Sequence, residues 1–192
     1  MLCPTHGRPC CLALCTSSRL LLAFENSFAL FNPESHEVID CDMIIEEEGE
    51  CVCECECECE CECEWEQSRL RRDGFAVRLN DGRVNQKGEL IIGGINETWG
   101  DFKDEWKAVQ PCYCVSMAPN TQRSSPTLSV SIIKSIPRAK ITNSICFSLD
   151  GSTMYHTDTP TKEIRAFSST NNGNVVIINT ENQPDGSIVD AR

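Results

Sequence analysis

Asn143-Ser144-Ile145-Cys146-Phe147-Ser148-Leu149-Asp150-Gly151, with the run Thr153 to Thr157 behind it, is the stretch on which the fold turns. A short apolar run opens on an Asn, stops at an Asp-Gly turn signal and leads into a second strand-like run, the pattern of an antiparallel hairpin. Asn80-Asp81-Gly82-Arg83-Val84-Asn85-Gln86-Lys87-Gly88 repeats the layout, a glycine eight residues after an Asn and then a strand-like run, Glu89 to Ile92. A third start, Asp185-Gly186-Ser187-Ile188-Val189-Asp190, begins 42 residues after Asn143, within the ~40 to 50 residue period of propeller blades. The longer gap between Asn80 and Asn143 calls for an insertion, and Ser116 to Ser131, rich in Ser, Thr and Pro, is the expected one. Hairpins that each begin with Asn or Asp predict blades whose inner strands point polar side chains at a central channel. Chance turns in an ordinary β-sandwich remain the alternative.

Outward from these repeats the same punctuation continues. Leu20 to Phe24 and Ser27 to Phe31 flank a tight connection and precede the turn Asn32-Pro33-Glu34-Ser35, while Phe75 to Leu79, Glu163 to Phe167 and Val175 to Ile178 read as further strands. Helical periodicity is scarce, so the expected class is all-β and antiparallel.

The chain has 192 residues, 40% of them hydrophobic, enough for a core. Eleven glutamates between Glu46 and Glu66, with no Lys or Arg among them, account for all but one unit of the net charge of −12. Seven of the 15 cysteines, Cys51 to Cys63 at every second position, lie in the same stretch, and the others do not form the pattern of a secreted disulfide framework. In an extended chain this tract puts thiols on one face and carboxylates on the other. Thiols ~6 to 7 Å apart do not share one tetrahedral ion without bending, so the tract reads as a solvated low-complexity insertion, with soft-metal binding as the alternative. No basic cluster suggests nucleic acid, and no run reaches the ~20 apolar residues of a spanning helix. The expected organisation is an uncertain N-terminal segment (1–19), a propeller portion (20–45 and 67–192) and a disordered Cys-Glu insertion (46–66), in a soluble, cytoplasmic protein.

Chemistry concentrates in three segments: Arg78-Leu79-Asn80-Asp81-Gly82-Arg83, Ile141-Thr142-Asn143-Ser144 and Gln183-Pro184-Asp185-Gly186. They offer two amide carbonyls, a carboxylate and a guanidinium, the set expected around Ca²⁺ or Mg²⁺ with an oxygen-rich substrate. Each is also an ordinary turn sequence taken singly. His6, His36 and His156 fit no zinc or triad spacing and are expected at the surface or at sheet edges.

The order of these motifs, with Gly93-Gly94-Ile95-Asn96-Glu97 between the first two and Phe28-Ala29-Leu30-Phe31-Asn32-Pro33-Glu34 ahead of them, resembles the regucalcin/gluconolactonase/luciferin-regenerating family. The resemblance covers roughly residues 20–40 and 75–192. It implies a six-bladed β-propeller, represented here by an incomplete set of about four blades cut short at both ends. It also implies one divalent cation (Ca²⁺, Zn²⁺, Mn²⁺ or Mg²⁺) at the channel mouth and hydrolysis of sugar aldonolactones such as gluconolactone or arabinolactone. By motif match Asn143 and Asp185 hold the metal, Asp185 also accepts the proton of the attacking water, and Arg78, Asn80 and Glu97 contact the substrate. The chain departs from the family where Ser144 follows Asn143 in place of the usual Gly, and where Met1 to Arg19 offers no counterpart of an early Gly-Glu metal ligand. An inactive truncated lactonase and a non-catalytic Ca²⁺ or metabolite binder are therefore carried alongside.

Overall fold

A computed structural model describes residues 7–46, 77–96, 111–118, 125–133, 135–168 and 175–187. The Cys-Glu tract, Glu97 and His6 lie outside them.

The described residues form thirteen strands and one short 3-10 turn, Thr159–Thr161. Strands β1 (Pro9–Leu14), β2 (Leu20–Phe24), β3 (Phe28–Phe31) and β4 (Val38–Asp40) make a four-stranded antiparallel meander. A second meander joins β6 (Val77–Val84), β7 (Leu90–Asn96), β8 (Tyr113–Met117) and β9 (Thr127–Ile132). Strand β5 (Asp42–Glu46) extends it by pairing parallel to β9. The third meander is β10 (Thr142–Phe147), β11 (Thr153–Asp158), β12 (Glu163–Ser168) and β13 (Val175–Asn179). The first two sheets are tied at Cys41 and Asp42, where the Cys41 N–H bonds Phe28 O and the next N–H bonds Pro126 O. Strand β6 packs beside both β1 and β10, so the three innermost strands stand side by side with the second sheet in the middle.

Packing explains the composition of the first sheet. Leu21, Ala23, Phe28 and Leu30 face the core shared with Leu79, Leu90, Ile92, Val115, Leu128 and Val130 of the second sheet. Leu22, Phe24 and Ala29 form a second cluster with Leu20, Phe31 and Val38. A strand packed on both faces is apolar throughout, which is why Leu20 to Phe24 shows no alternation. Leu12 and Leu14, across from Leu22 and Leu20, continue the second face and are exposed.

The three inner strands share one construction. Each carries one residue more than its neighbour between successive paired positions: at Cys10 in β1, at Asn80-Asp81 in β6 and at Asn143-Ser144 in β10. Such a bulge bends the strand and re-aims the side chains at it. Eight residues beyond Cys10, Asn80 and Asn143 stand Ser18, Gly88 and Gly151, all at positive φ (58, 81 and 70°), and the next strand starts two residues later. The spacing seen in the sequence is thus a bulge-to-turn distance, and β1 obeys it without either signature residue.

Several expectations change. Three sheets stand among the described residues where about four blades were expected, because Gln183 to Ser187 forms no strand and runs past the open edge of β10. The presumed insertion Ser116 to Ser131 contains the end of β8 and most of β9, with Thr127 and Ser129 buried within β9. Pro9–Leu14, within the segment set apart as 1–19, is the inner strand of the first sheet. His156 is fully buried rather than at a surface or edge, while His36 is exposed at a turn.

Candidate functional site

The bulges of β6 and β10 bring most of the expected site residues together. Asn80 Nδ2 donates to the Thr142 carbonyl at 2.8 Å, and Arg78 Nη1 donates to Asn80 Oδ1 at 3.3 Å and to Leu79 O at 3.2 Å. On the other side of β10 the Gly186 N–H donates to Asn143 O at 2.9 Å, which sets Asp185 beside Asn143. Arg78, Asn80 and Asn143 are half-buried and Asp185 is exposed. Among the described residues neither the Asn143 amide nor the Asp185 carboxylate is held by a hydrogen bond. Glu97 lies outside the described residues, one position past the end of β7.

Three residues with no assigned role in the sequence, Arg83, Ser144 and Thr159, hold the segment 183–187 in place. Arg83 Nη2 donates to Ser187 O at 3.0 Å and its Nε to Ile145 O at 3.4 Å, so one guanidinium ties β6, β10 and the last described segment. The Ser144 and Ser187 hydroxyls are hydrogen-bonded, and Thr159 Oγ1 donates to Pro184 O at 2.9 Å. Asp81, at the β6 bulge, accepts from the Gly82 N–H at 2.8 Å. Burial pushes its carboxyl pKa up, with the Asp185 charge adding to the rise and the Gly82 bond and Arg83 opposing it. Asp81 and Asp185 thus place two carboxylates at this end of the inner strands.

The donor set suits a hard cation. Amide and carboxylate oxygens from Asn143 and Asp185 match what Ca²⁺, Mg²⁺ or Mn²⁺ prefers. Among the described residues no three His, Cys, Asp or Glu side chains gather as a ligand group. The nearby thiols of Cys10 and Cys11 are pushed up to about 12 and about 11, chiefly by burial, and are protonated at neutral pH.

Behind the site lies a buried polar cluster. Thr142 Oγ1 is 3.1 Å from His156 Nε2, and both residues are fully buried. Burial, followed by the Arg165 charge, lowers His156 to about 4, so its ring is neutral at pH 7. Asp158 Oδ1 accepts the N–H groups of Lys140 and Ile141 at 3.2 and 3.1 Å, pinning the approach to β10. A cleft of about 310 Å³ opens at the turn end of β6 and β10, between Arg83–Gln86 and Cys146–Leu149. Of the four expected site residues that are described, it includes none.

Antiparallel meanders with inner strands side by side, β6 and β10 bulged where they carry Asn80 and Asn143, define an all-β protein of the β-propeller type. The family model described as SMP-30/gluconolactonase/LRE-like region matches residues 2–192, and the chain belongs to that family. Among solved structures, a luciferin-regenerating enzyme is 13% identical, with 89% of this chain covering 47% of that one at a TM-score of 0.55. Regucalcin of Agrobacterium tumefaciens strain C58, described as a calcium-binding protein, is 21% identical, with coverage of 82% and 38% and a TM-score of 0.49. The chain spans less than half the length of either structure. No curated protein matches it.

Proposed function

We propose that the residues around Asn80 and Asn143 form a sugar-lactone hydrolase site in which Asn143 and Asp185 hold one divalent cation. One observation carries the reading: two hydrogen bonds, Asn80 to Thr142 and Gly186 to Asn143, gather Arg78, Asn80, Asn143 and Asp185 from three separate chain segments. Membership of the family supports lactone chemistry, and the oxygen donor set supports Ca²⁺, Mg²⁺ or Mn²⁺ over a thiolate-loving ion.

A bound divalent cation would polarise the lactone carbonyl and acidify a water beside it. This chain's own residues do the rest. Arg78 and Asn80, anchored on each other, present fixed N–H donors to the oxygens of the sugar ring, which turns loose binding into orientation. Asp185, exposed and without a hydrogen-bond partner among the described residues, accepts the proton of the attacking water at its carboxylate. Ring opening forms the aldonic acid from lactone and water, and no serine or cysteine nucleophile is needed. On this reading the sheets belong to a six-bladed ring, with Glu97 as a further substrate contact. The thiols of Cys10, Cys11, Cys15, Cys41, Cys112 and Cys146, none in a disulfide, support a cytoplasmic setting.

A second reading, a non-catalytic binder of Ca²⁺ or a metabolite, is favoured by the small number of charged ligands among the described residues. The two separate in one experiment. Purified protein is given gluconolactone and arabinolactone in Ca²⁺ or Mn²⁺ and acid release is followed by pH. Hydrolysis above the spontaneous rate, with KM raised by Arg78→Ala, supports the hydrolase. A rate equal to the blank, from folded protein that still binds the cation, refutes it in favour of the binder.

A further inference from the structure

We infer that His156 is a positioning residue for this site: through the Thr142 hydroxyl it fixes the strand segment whose carbonyl holds the Asn80 amide. The inference rests on the lactone-site reading for its functional meaning, but its geometry stands apart from it.

The β10 bulge creates the need. Thr142 pairs with Asp158 and the next paired position is Ile145 with His156, so Asn143 and Ser144 are out of register with β11. Backbone at a bulge lacks the full ladder that fixes ordinary strand residues. His156 sits at the far end of that gap, opposite Ile145, and its ring reaches back to Thr142 at the near end, with Nε2 3.1 Å from Oγ1. The contact spans the bulge and holds both its ends.

Each partner is itself immobilised. His156 and Thr142 have no exposed surface, and the His156 ring stands edge-on to Phe167 at 6.4 Å between centroids. Among the described residues Nδ1 of His156 has no hydrogen-bond partner, and Thr142 is the ring's one polar tie there. Thr142 is β-branched and stiff at χ1, and Gly93 of β7 leaves the space it occupies, since a Cβ there would lie 2.6 Å from Thr142 Cβ. Held by His156 and by the close packing of Gly93, the Thr142 carbonyl keeps the direction that accepts Asn80 Nδ2 at 2.8 Å.

The test follows the Asn80 side-chain amide by ¹H–¹⁵N NMR, together with gluconolactone kinetics in Mn²⁺, in three variants. His156→Phe keeps the ring and removes the nitrogen, His156→Gln restores a polar group at the Nε2 position, and Thr142→Val removes the hydroxyl at nearly constant volume. Expected results are an Asn80 amide shifted towards its free value in His156→Phe and Thr142→Val, with KM raised about 10-fold, and recovery of both in His156→Gln. An unshifted Asn80 amide in both His156→Phe and Thr142→Val overturns the inference. If His156→Phe does not fold, Thr142→Val against the unmodified protein decides. If the unmodified protein hydrolyses no lactone, the amide shift still decides the positioning role, and only the lactone reading fails.

Discussion

Between about pH 6.5 and 4, acid should destabilise this protein through His156, and the size of the effect follows from its burial. The folded protein protonates His156 only near pH 4, whereas the unfolded chain does so near 6.5. Between those values the unfolded state binds the extra proton, so stability is full above 6.5 and falls as the pH drops towards 4. At 1.36 kcal/mol per pH unit the whole interval is worth about 3 kcal/mol. Arg165, directly across the sheet from His156 and paired with Glu163 at 2.7 Å, adds to the depression. Asp81 and Asp158 act with the opposite sign: burial raises both, so each favours the folded state as it takes up its proton in acid. The His156 contribution is isolated by comparison with His156→Gln, which lacks the titration and keeps the carboxylates. Urea unfolding of both proteins is measured at steps between about pH 7.5 and 4.5. The stability difference between them should move against the unmodified protein by about 1.4 kcal/mol for each pH unit below about 6. Parallel curves over that range would refute the claim that the ring is buried neutral.

Gly93→Ala should cost about 1–3 kcal/mol, because its methyl would meet Thr142 Cβ at 2.6 Å and Cγ2 at 2.7 Å; urea unfolding reads the loss, and the Asn80 amide should shift with it. Ser18→Gly should stabilise by up to about 1 kcal/mol, since relief of left-handed strain at φ 58° exceeds the entropy that glycine adds to the unfolded chain; thermal melting checks the sign. Leu21→Ala, in the core between the first two sheets, should cost about 2–5 kcal/mol. Leu14→Ala, at 80% exposure, should stay within about 0.5 kcal/mol of the unmodified protein.

Local patterns carried the parts of the fold that local chemistry dictates. Leu20–Phe24 is apolar on both faces because both are covered, and it is a strand with the bounds read from the sequence. Asn143 and Gly151 mark a bulge and a left-handed turn, each of which has a residue preference. The same device at Cys10 and Ser18 escaped notice because neither residue advertises it. Asn80-Asp81-Gly82 reads as a turn yet lies inside β6, where the bulge uses the same turn-prone chemistry without reversing the chain. Thr127–Ile132 was hidden by its serines and by Pro126, because whether a hydroxyl can be buried depends on neighbours far away in sequence. Parallel pairing of β5 with β9 has no local signature at all.

The site divides in the same way. Arg78, Asn80, Asn143 and Asp185 are visible as polar residues in turn-like segments, and the family resemblance singles them out. Their proximity depends on β6 lying beside β10, which spacing alone does not reveal. Arg83 stands within a legible motif, but its bonds to Ile145 O and Ser187 O come from tertiary contact. His156 shows the limit most clearly: a lone histidine without ligand spacing has no sequence signal for full burial against Thr142.

The central claim, a cation-dependent lactone site centred on Asn143 and Asp185, is tested most directly by gluconolactone hydrolysis in Mn²⁺, in chelator, and after the metal is restored, with Asp185→Ala measured in parallel. The account predicts turnover that disappears with chelator, returns with metal, and drops by at least about 100-fold in Asp185→Ala. Turnover that is indifferent to chelator, or unchanged in Asp185→Ala, would contradict it.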